Sequence, residues 1–332
     1  MTDEQLVKYL NNFNGRSTTS KKVIEGLRKI DRLRSKELNS IINKGVFNAR
    51  GANKTCSYFG GQKVYAMLKS NSPSTERYQK CKLQKVDGIM RINRELINRG
   101  ACVPKLYSIF FADENYIEIF ERAKGDVLAV ARLDSFVKKT CGVSLSGNKR
   151  CGAFLKQKIG RKIYDHNLKQ QNIAKNLPQE CYDKLFNSLC IINDMDMAYD
   201  DTHSENVMVS EKGFTLVDLN YDAMLNKNAR VSEETLVKHL FEPFSFATTY
   251  SEFLTKKQIN ELNKNNLIIA KKLINAVSNK GILINDSFNY LFDSVGQVVS
   301  METMVDNFDD LFASQIALRK LQHKPQMKSL KL

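Results

Sequence analysis

The chain has 332 residues, 42% of them apolar and 26% charged, which suits one large domain or two lobes with substantial cores. A net charge of +15 favours anionic partners such as nucleotides, phosphates, acidic proteins or membrane surfaces, while its spread along the chain and the lack of a nucleic-acid module argue against nucleic acid as the main ligand. Seven cysteines at irregular spacings, with no CxxC, argue against a disulfide framework or a zinc site and for reduced thiols.

The opening "MTDEQLVKYLNNF" has early acids and no apolar signal core, and no later run reaches the length of a membrane span. A cytoplasmic protein is expected, or one secreted into a host cell without a hydrophobic signal. Residues 2–13 read as a helix with Thr2 and Gln5 as a capping box and Leu6, Leu10 and Phe13 on one face. Residues 20–39 read as a second helix, with Val23, Leu27 and Ile30 at helical spacing. From about 40 to 121 the runs "SIINKGVF", "TCSYF", "KVYAMLK", "KLYSIFF" and "NYIEIFE" predict strands, interrupted by one helix from about Thr75 to Arg99 that stops at Gly100. Beyond Gly125 the pattern is mainly helical: "AFLKQKIGRKIYDHNLK" with a glycine interruption, "QECYDKLFNSLCIINDMDMA", "SEETLVKHLF", "TKKQINELNKNNLIIAKKLINAVS" and residues 301–321. A small β-rich lobe followed by a larger helical one is the expected architecture.

Between these helices lies "YDDTHSENVMVSEKGFTLVDLN". "NVMV" and "FTLVDL" predict a two-stranded ribbon with "SEKG" as its turn, which brings Asn206 and Asp218 together. Their oxygen ligands suit Mg²⁺. Asp201 is left to orient an acceptor hydroxyl and take its proton. The same Asp and Asn spacing also caps ordinary hairpins.

This stretch resembles the catalytic and metal-binding loops of the protein-kinase-like superfamily: D-x-x-x-x-N, strand, turn, strand, then an aspartate. His203 gives D-x-H-x-x-N, nearest to the aminoglycoside- and choline-type small-molecule kinases. The resemblance implies a bilobal α+β fold, ATP and Mg²⁺ as cofactors, Asp201 and His203 as catalytic residues, and Asn206 and Asp218 as metal ligands. It implies a lysine on the third strand for the α and β phosphates, which "KVYAMLK" supplies as Lys69. The partner carboxylate is expected on the following helix, with Glu95 favoured over Asp87. "YIEIFERAKGDVL" resembles the strand-to-hinge segment, apolar residues, Glu, a turn, Gly and a small helix. Phe120 would be the gatekeeper, and main chain from Glu121 to Ala123 would hold adenine. The chain departs from the pattern at several points: no G-x-G-x-x-G around Gly45 and Gly51, Asp200 in place of arginine, Asn220 in place of glycine, and no A-P-E.

The expected organisation is an N-terminal helical extension over 1–40, a small lobe over 41–121, a helical lobe over 122–325 and a tail over 326–332. Residues 132–175 hold eleven lysines and arginines against Asp134 and Asp165, a solvated basic face or a surface for an acidic partner or anionic membrane. The expected activity is transfer of the γ-phosphoryl of ATP to a hydroxyl of a small molecule or protein. A pseudokinase that holds an acidic partner on the basic insertion is the alternative.

Overall fold

The computed structural model describes residues 2–31, 49–50, 54–60, 63–70, 85–113, 115–130, 136–137, 153–197, 199, 201–219, 230–246, 251–283 and 294–322. They fall into two compact units, residues 1–124 with 219–228, and residues 125–218 with 229–332.

The first unit opens with α1 (Asp3–Leu10), capped as predicted. The Gln5 N–H donates to Thr2 Oγ1 at 3.3 Å and the Thr2 N–H to Gln5 Oε1 at 3.1 Å. Next come β1 (Ser17–Thr18), α2 (Ser20–Asp31), β2 (Ala49–Arg50), β3 (Lys54–Phe59) and β4 (Tyr65–Ser70). Helix α3 (Val86–Asn98) then leads to β5 (Leu106–Ala112) and β6 (Asn115–Glu121). The expected run of strands, helix and two further strands is present, and with the helical second unit it gives the expected α+β class. The "SIINKGVF" strand, the start of the helix at Thr75 and the far end of the second helix lie outside the described residues.

The six strands form one sheet in the order β1-β5-β6-β4-β3-β2, antiparallel throughout except for β1 beside β5. The helical extension is part of this unit. Leu6, Leu10, Val23 and Leu27 share one buried cluster with Phe59, Tyr65, Met67, Ile117 and Ile119. The reason is alternation: Tyr65 and Met67 of β4 and Ile117 and Ile119 of β6 fall on the same face, and such an apolar face must be covered. Asp3 fastens the cover, accepting from Tyr107 Oη at 2.8 Å and Tyr65 Oη at 3.1 Å. Burial, then the Asp3 carboxylate, push the Tyr107 phenol above its ordinary range.

The second unit starts at β7 (Asp126–Val127) and continues with α4 (Ala153–Asn176) and α5 (Gln179–Asp194). A 3-10 turn at Ser204–Asn206 precedes β8 (Val207–Ser210) and β9 (Gly213–Leu216). Helices α6 (Glu233–Phe241) and α7 (Lys256–Asn279) follow, then α8 (Met301–Asp306), α9 (Phe308–Leu311) and α10 (Ala313–Gln322). Helix α7 begins at a Thr255–Gln258 capping box and packs Leu262, Ile269, Leu273 and Ile274 into the interior against α4 and α5. Tyr182, Phe214, Phe244 and Phe246 stack edge to face beside them.

Two expectations are corrected here. A two-residue strand rather than a small helix follows Gly125, because Asp126 and Val127 pair with Val209 and Met208. Gly160 does not interrupt α4; a Cβ there would sit 2.0 Å from the Phe253 carbonyl oxygen, so glycine permits a close approach inside a continuous helix. Residues 301–321 are helical as expected, in three short helices broken at Asn307 and Phe312.

Candidate active site

The ribbon forms as predicted, with β7 added beside it as a third strand. Val207 pairs with Leu216 and Ser210 with Gly213, which closes the turn. At the open end the Val217 N–H donates to the Asn206 carbonyl at 2.8 Å, and the Tyr199 hydroxyl lies between the Asn206 and Val217 carbonyls at 3.4 and 3.3 Å. Asn206 and the residue before Asp218 are therefore bonded neighbours across the ribbon.

The Asn206 side chain is buried, and its Nδ2 donates to the Asp201 carbonyl at 2.8 Å. This bond fixes the amide's orientation and leaves Oδ1 as its remaining ligand atom. Asp218 is exposed and has φ of +55°, a left-handed conformation that costs a non-glycine residue about 1–2 kcal/mol. An ion held by Asn206 Oδ1 and the Asp218 carboxylate would complete its shell with phosphate oxygens and water. No group of three or more His, Cys, Asp or Glu placed to hold a metal occurs among the described residues.

Asp201 lies upstream of the turn with its side chain 61% exposed. His203 caps the 3-10 turn: its Nδ1 accepts the Glu205 N–H at 3.2 Å, so in the neutral ring Nε2 carries the proton. Nε2 is buried, makes no hydrogen bond and lies 3.3 Å from Asp201 Oδ1. Thr202 Oγ1 donates to Glu242 Oε2 at 2.9 Å, and Ser204 Oγ donates to the Ala129 carbonyl at 3.1 Å. The loop is thus tied to the turn after α6 and to the segment after β7. Gly125 permits part of this, since its φ is +91° and a Cβ would fall 1.9 Å from the Val209 carbonyl oxygen. The exposed Asp201 carboxylate is suited to accept a proton from a hydroxyl group.

In the first unit Phe120 is buried at the end of β6 and Glu121 is exposed. The N–H groups of Glu121 and Arg122 are taken by the Lys105 and Val64 carbonyls, both at 2.8 Å. Among the described residues the Ala123 N–H has no backbone partner, which suits the expected adenine contact. The expected pair of Lys69 and Glu95 is not made. Glu95 Oε1 instead accepts from Arg99 Nε at 2.8 Å, one helical turn away, and Asp87 is exposed at the start of α3. Lys69 is half-buried opposite Ile117, and alternation places it on the sheet face of Tyr65 and Met67, the face covered by α1 and α2.

A lysine–carboxylate pair does occur in the sheet. Lys54 Nζ lies 2.7 Å from Glu118 Oε2, with side chains 19% and 4% exposed. The sequence held one signal for it, a glutamate inside the apolar run "NYIEIF".

Of the basic stretch, α4 exposes Lys156, Lys158, Arg161, Lys162 and Lys169; residues 131–135 and 138–152 lie outside the described residues, as do Gly45, Gly51, Asp200, Asn220 and the tail. Arg161 Nε lies 4.0 Å from Asp165. No described helix is long and apolar enough to cross a membrane.

No protein-family model and no curated protein matches the chain. Among solved structures it is similar to a co-crystal of the pseudokinase drought responsive inactive kinase 1, at 10% identity over 85% of this chain and 96% of that one, with a TM-score of 0.33. At that score the likeness carries no weight for activity or ligand.

Proposed function

We propose that the chain is an ATP- and Mg²⁺-dependent phosphotransferase of the kinase-like type, acting on a hydroxyl of a small molecule or protein. The observation that carries this reading is the bonded end of the ribbon, where Asn206, fixed by its amide bond to Asp201, sits across from the start of the Asp218 segment. Bound Mg-ATP supplies the transferable phosphoryl group and the charge neutralisation that dominates such chemistry. Asp201 receives the proton of the acceptor hydroxyl as its oxygen bonds to phosphorus and the bond to the β-phosphate oxygen breaks. His203 Nε2, 3.3 Å from that carboxylate, is placed to orient it, and Asn206 and Asp218 would supply oxygens to the metal. The D-x-H-x-x-N spacing favours a small-molecule acceptor. Purified protein incubated with γ-labelled ATP, with and without Mg²⁺, against metabolite pools and lysate protein tests the reading. Label transfer that requires Mg²⁺ and disappears in Asp201→Asn supports it; no transfer to any acceptor overturns it.

The missing Lys69–Glu95 pair favours a second reading, a kinase-type fold that binds without turning over. Its basic helix α4 would then meet an acidic partner. Mg-ATP binding with neither phosphoryl transfer nor ATP hydrolysis is its signature.

A further inference from the structure

We propose that Lys54, and not Lys69, is the residue of the β-rich unit that meets the phosphates of a bound nucleotide, with Glu118 as the carboxylate that aims it. The inference rests on the nucleotide-binding reading above and replaces its lysine.

The register of the sheet carries the argument. Cys56 is opposite Leu68, and Leu68 is opposite Glu118; Lys54 is opposite Ser70, two pairs further along and so the next on the same face. Lys54 therefore reaches diagonally over β4 to Glu118 on the same face of the sheet. Ala66 and Phe120 are directly paired on that face, so the residue expected as gatekeeper shares it. Lys69 is on the other face, and Leu68 occupies the position on this face where a third-strand lysine would be needed.

Burial makes the pair unusual. Taking a carboxylate and an ammonium out of water is costly, and an apolar pair of similar volume is often no less stable. Such a pair in a β-sheet is therefore weakly explained by stability alone, and a charged ligand would give it a use. Both Glu118 oxygens are engaged, Oε2 by Lys54 and Oε1 by the Tyr116 hydroxyl at 3.2 Å. The carboxylate is thus anchored from two sides, while the Lys54 side chain keeps 19% of its surface exposed. A fixed acceptor beside a lysine side chain that is not fully buried is the arrangement a phosphate-binding lysine requires.

The test compares Mg-ATP and adenosine binding by calorimetry for wild type, Lys54→Met, Lys69→Met and the double variant Lys54→Met/Glu118→Gln. The double variant removes the lysine without stranding a buried charge, so it remains informative if Lys54→Met alone fails to fold. Loss of Lys54 should weaken Mg-ATP roughly 10- to 100-fold and leave adenosine within about 2-fold, while Lys69→Met leaves both unchanged. Wild-type Mg-ATP affinity in the folded double variant, or loss of Mg-ATP binding on Lys69→Met alone, overturns the assignment and leaves the nucleotide reading standing. Failure of wild type to bind either ligand overturns both.

Discussion

Nε2 of His203 lies 3.3 Å from Oδ1 of Asp201 because Nδ1 of the same ring is occupied by the Glu205 N–H. One backbone bond sets both the tautomer and the direction of the imidazole, and the ring in turn limits where an otherwise exposed carboxylate can lie. His203 is therefore a positioning residue in the proposed reaction. His203→Ala should lower kcat roughly 10- to 100-fold while leaving the KM for ATP nearly unchanged, as expected when a reacting group is misplaced rather than removed. His203→Asn, whose side-chain oxygen can still cap the Glu205 N–H, should keep the thermal stability of wild type and remain slow. Equal kcat in all three proteins would exclude the role.

Asp218 combines a proposed metal ligand with a left-handed backbone at φ of +55°. The two properties separate on substitution. Asp218→Ala keeps the backbone cost and loses the carboxylate; Asp218→Gly loses both. Both should abolish Mg²⁺-dependent transfer, and the glycine variant should be more stable than the alanine variant by about 1 kcal/mol in urea unfolding. Residual Mg²⁺-dependent transfer by either variant would remove the metal assignment.

The contrast between these residues and Lys69 shows what the sequence could carry. The ribbon is legible because its signals are local: two apolar runs, a turn ending in Gly213, and polar residues at both mouths. The capping box at Thr2 is local in the same way. Lys69 is legible only as the end of a strand; which face it takes depends on pairing with β3 and β6 and on α1 and α2 covering the sheet. Those are non-local choices, and a shift of one residue in register exchanges the two faces. Lys54 and Glu118 are 64 residues apart in sequence, so no spacing rule could join them. Gly160 misleads for a related reason: an internal glycine reads as a helix break unless one knows what packs beside it.

Tyrosine chemistry gives a pH prediction. Burial raises the Tyr9 phenol to about 12 and is the main cause of the rise to about 12 at Tyr164, where Glu261 adds to it; Tyr107 and Tyr182 are pushed higher still, mainly by burial. The folded state therefore holds these protons above the ordinary phenol value of 10.0, where the unfolded chain releases them. Stability from this source is intact below that pH and is lost as pH rises toward and through the folded values. Urea midpoints should fall steadily above it, and the tyrosinate absorbance due to Tyr9, Tyr107, Tyr164 and Tyr182 should appear together with unfolding rather than before it. Tyr107→Phe should flatten the fall, since it removes one of the ionisations that pull the chain open. A midpoint insensitive to alkaline pH would contradict these burials.

Gly160 offers a test in which two effects oppose each other. In an exposed helix, glycine to alanine stabilises by about 1 kcal/mol through backbone entropy. Here the added Cβ would meet the Phe253 carbonyl oxygen at 2.0 Å, and that atom belongs to the main chain of the 3-10 turn Ser251–Phe253, so it cannot rotate away. Crowding should win, with Gly160→Ala net destabilising by about 1–3 kcal/mol in urea unfolding. Gly281 is the matched control: it has φ of +75° but nothing within 4 Å of where a Cβ would lie, so Gly281→Ala should cost only the conformational term of about 1 kcal/mol. If Gly160→Ala is instead the more stable of the two, α4 does not run against that turn, and the docking of residues 251–253 must be redrawn.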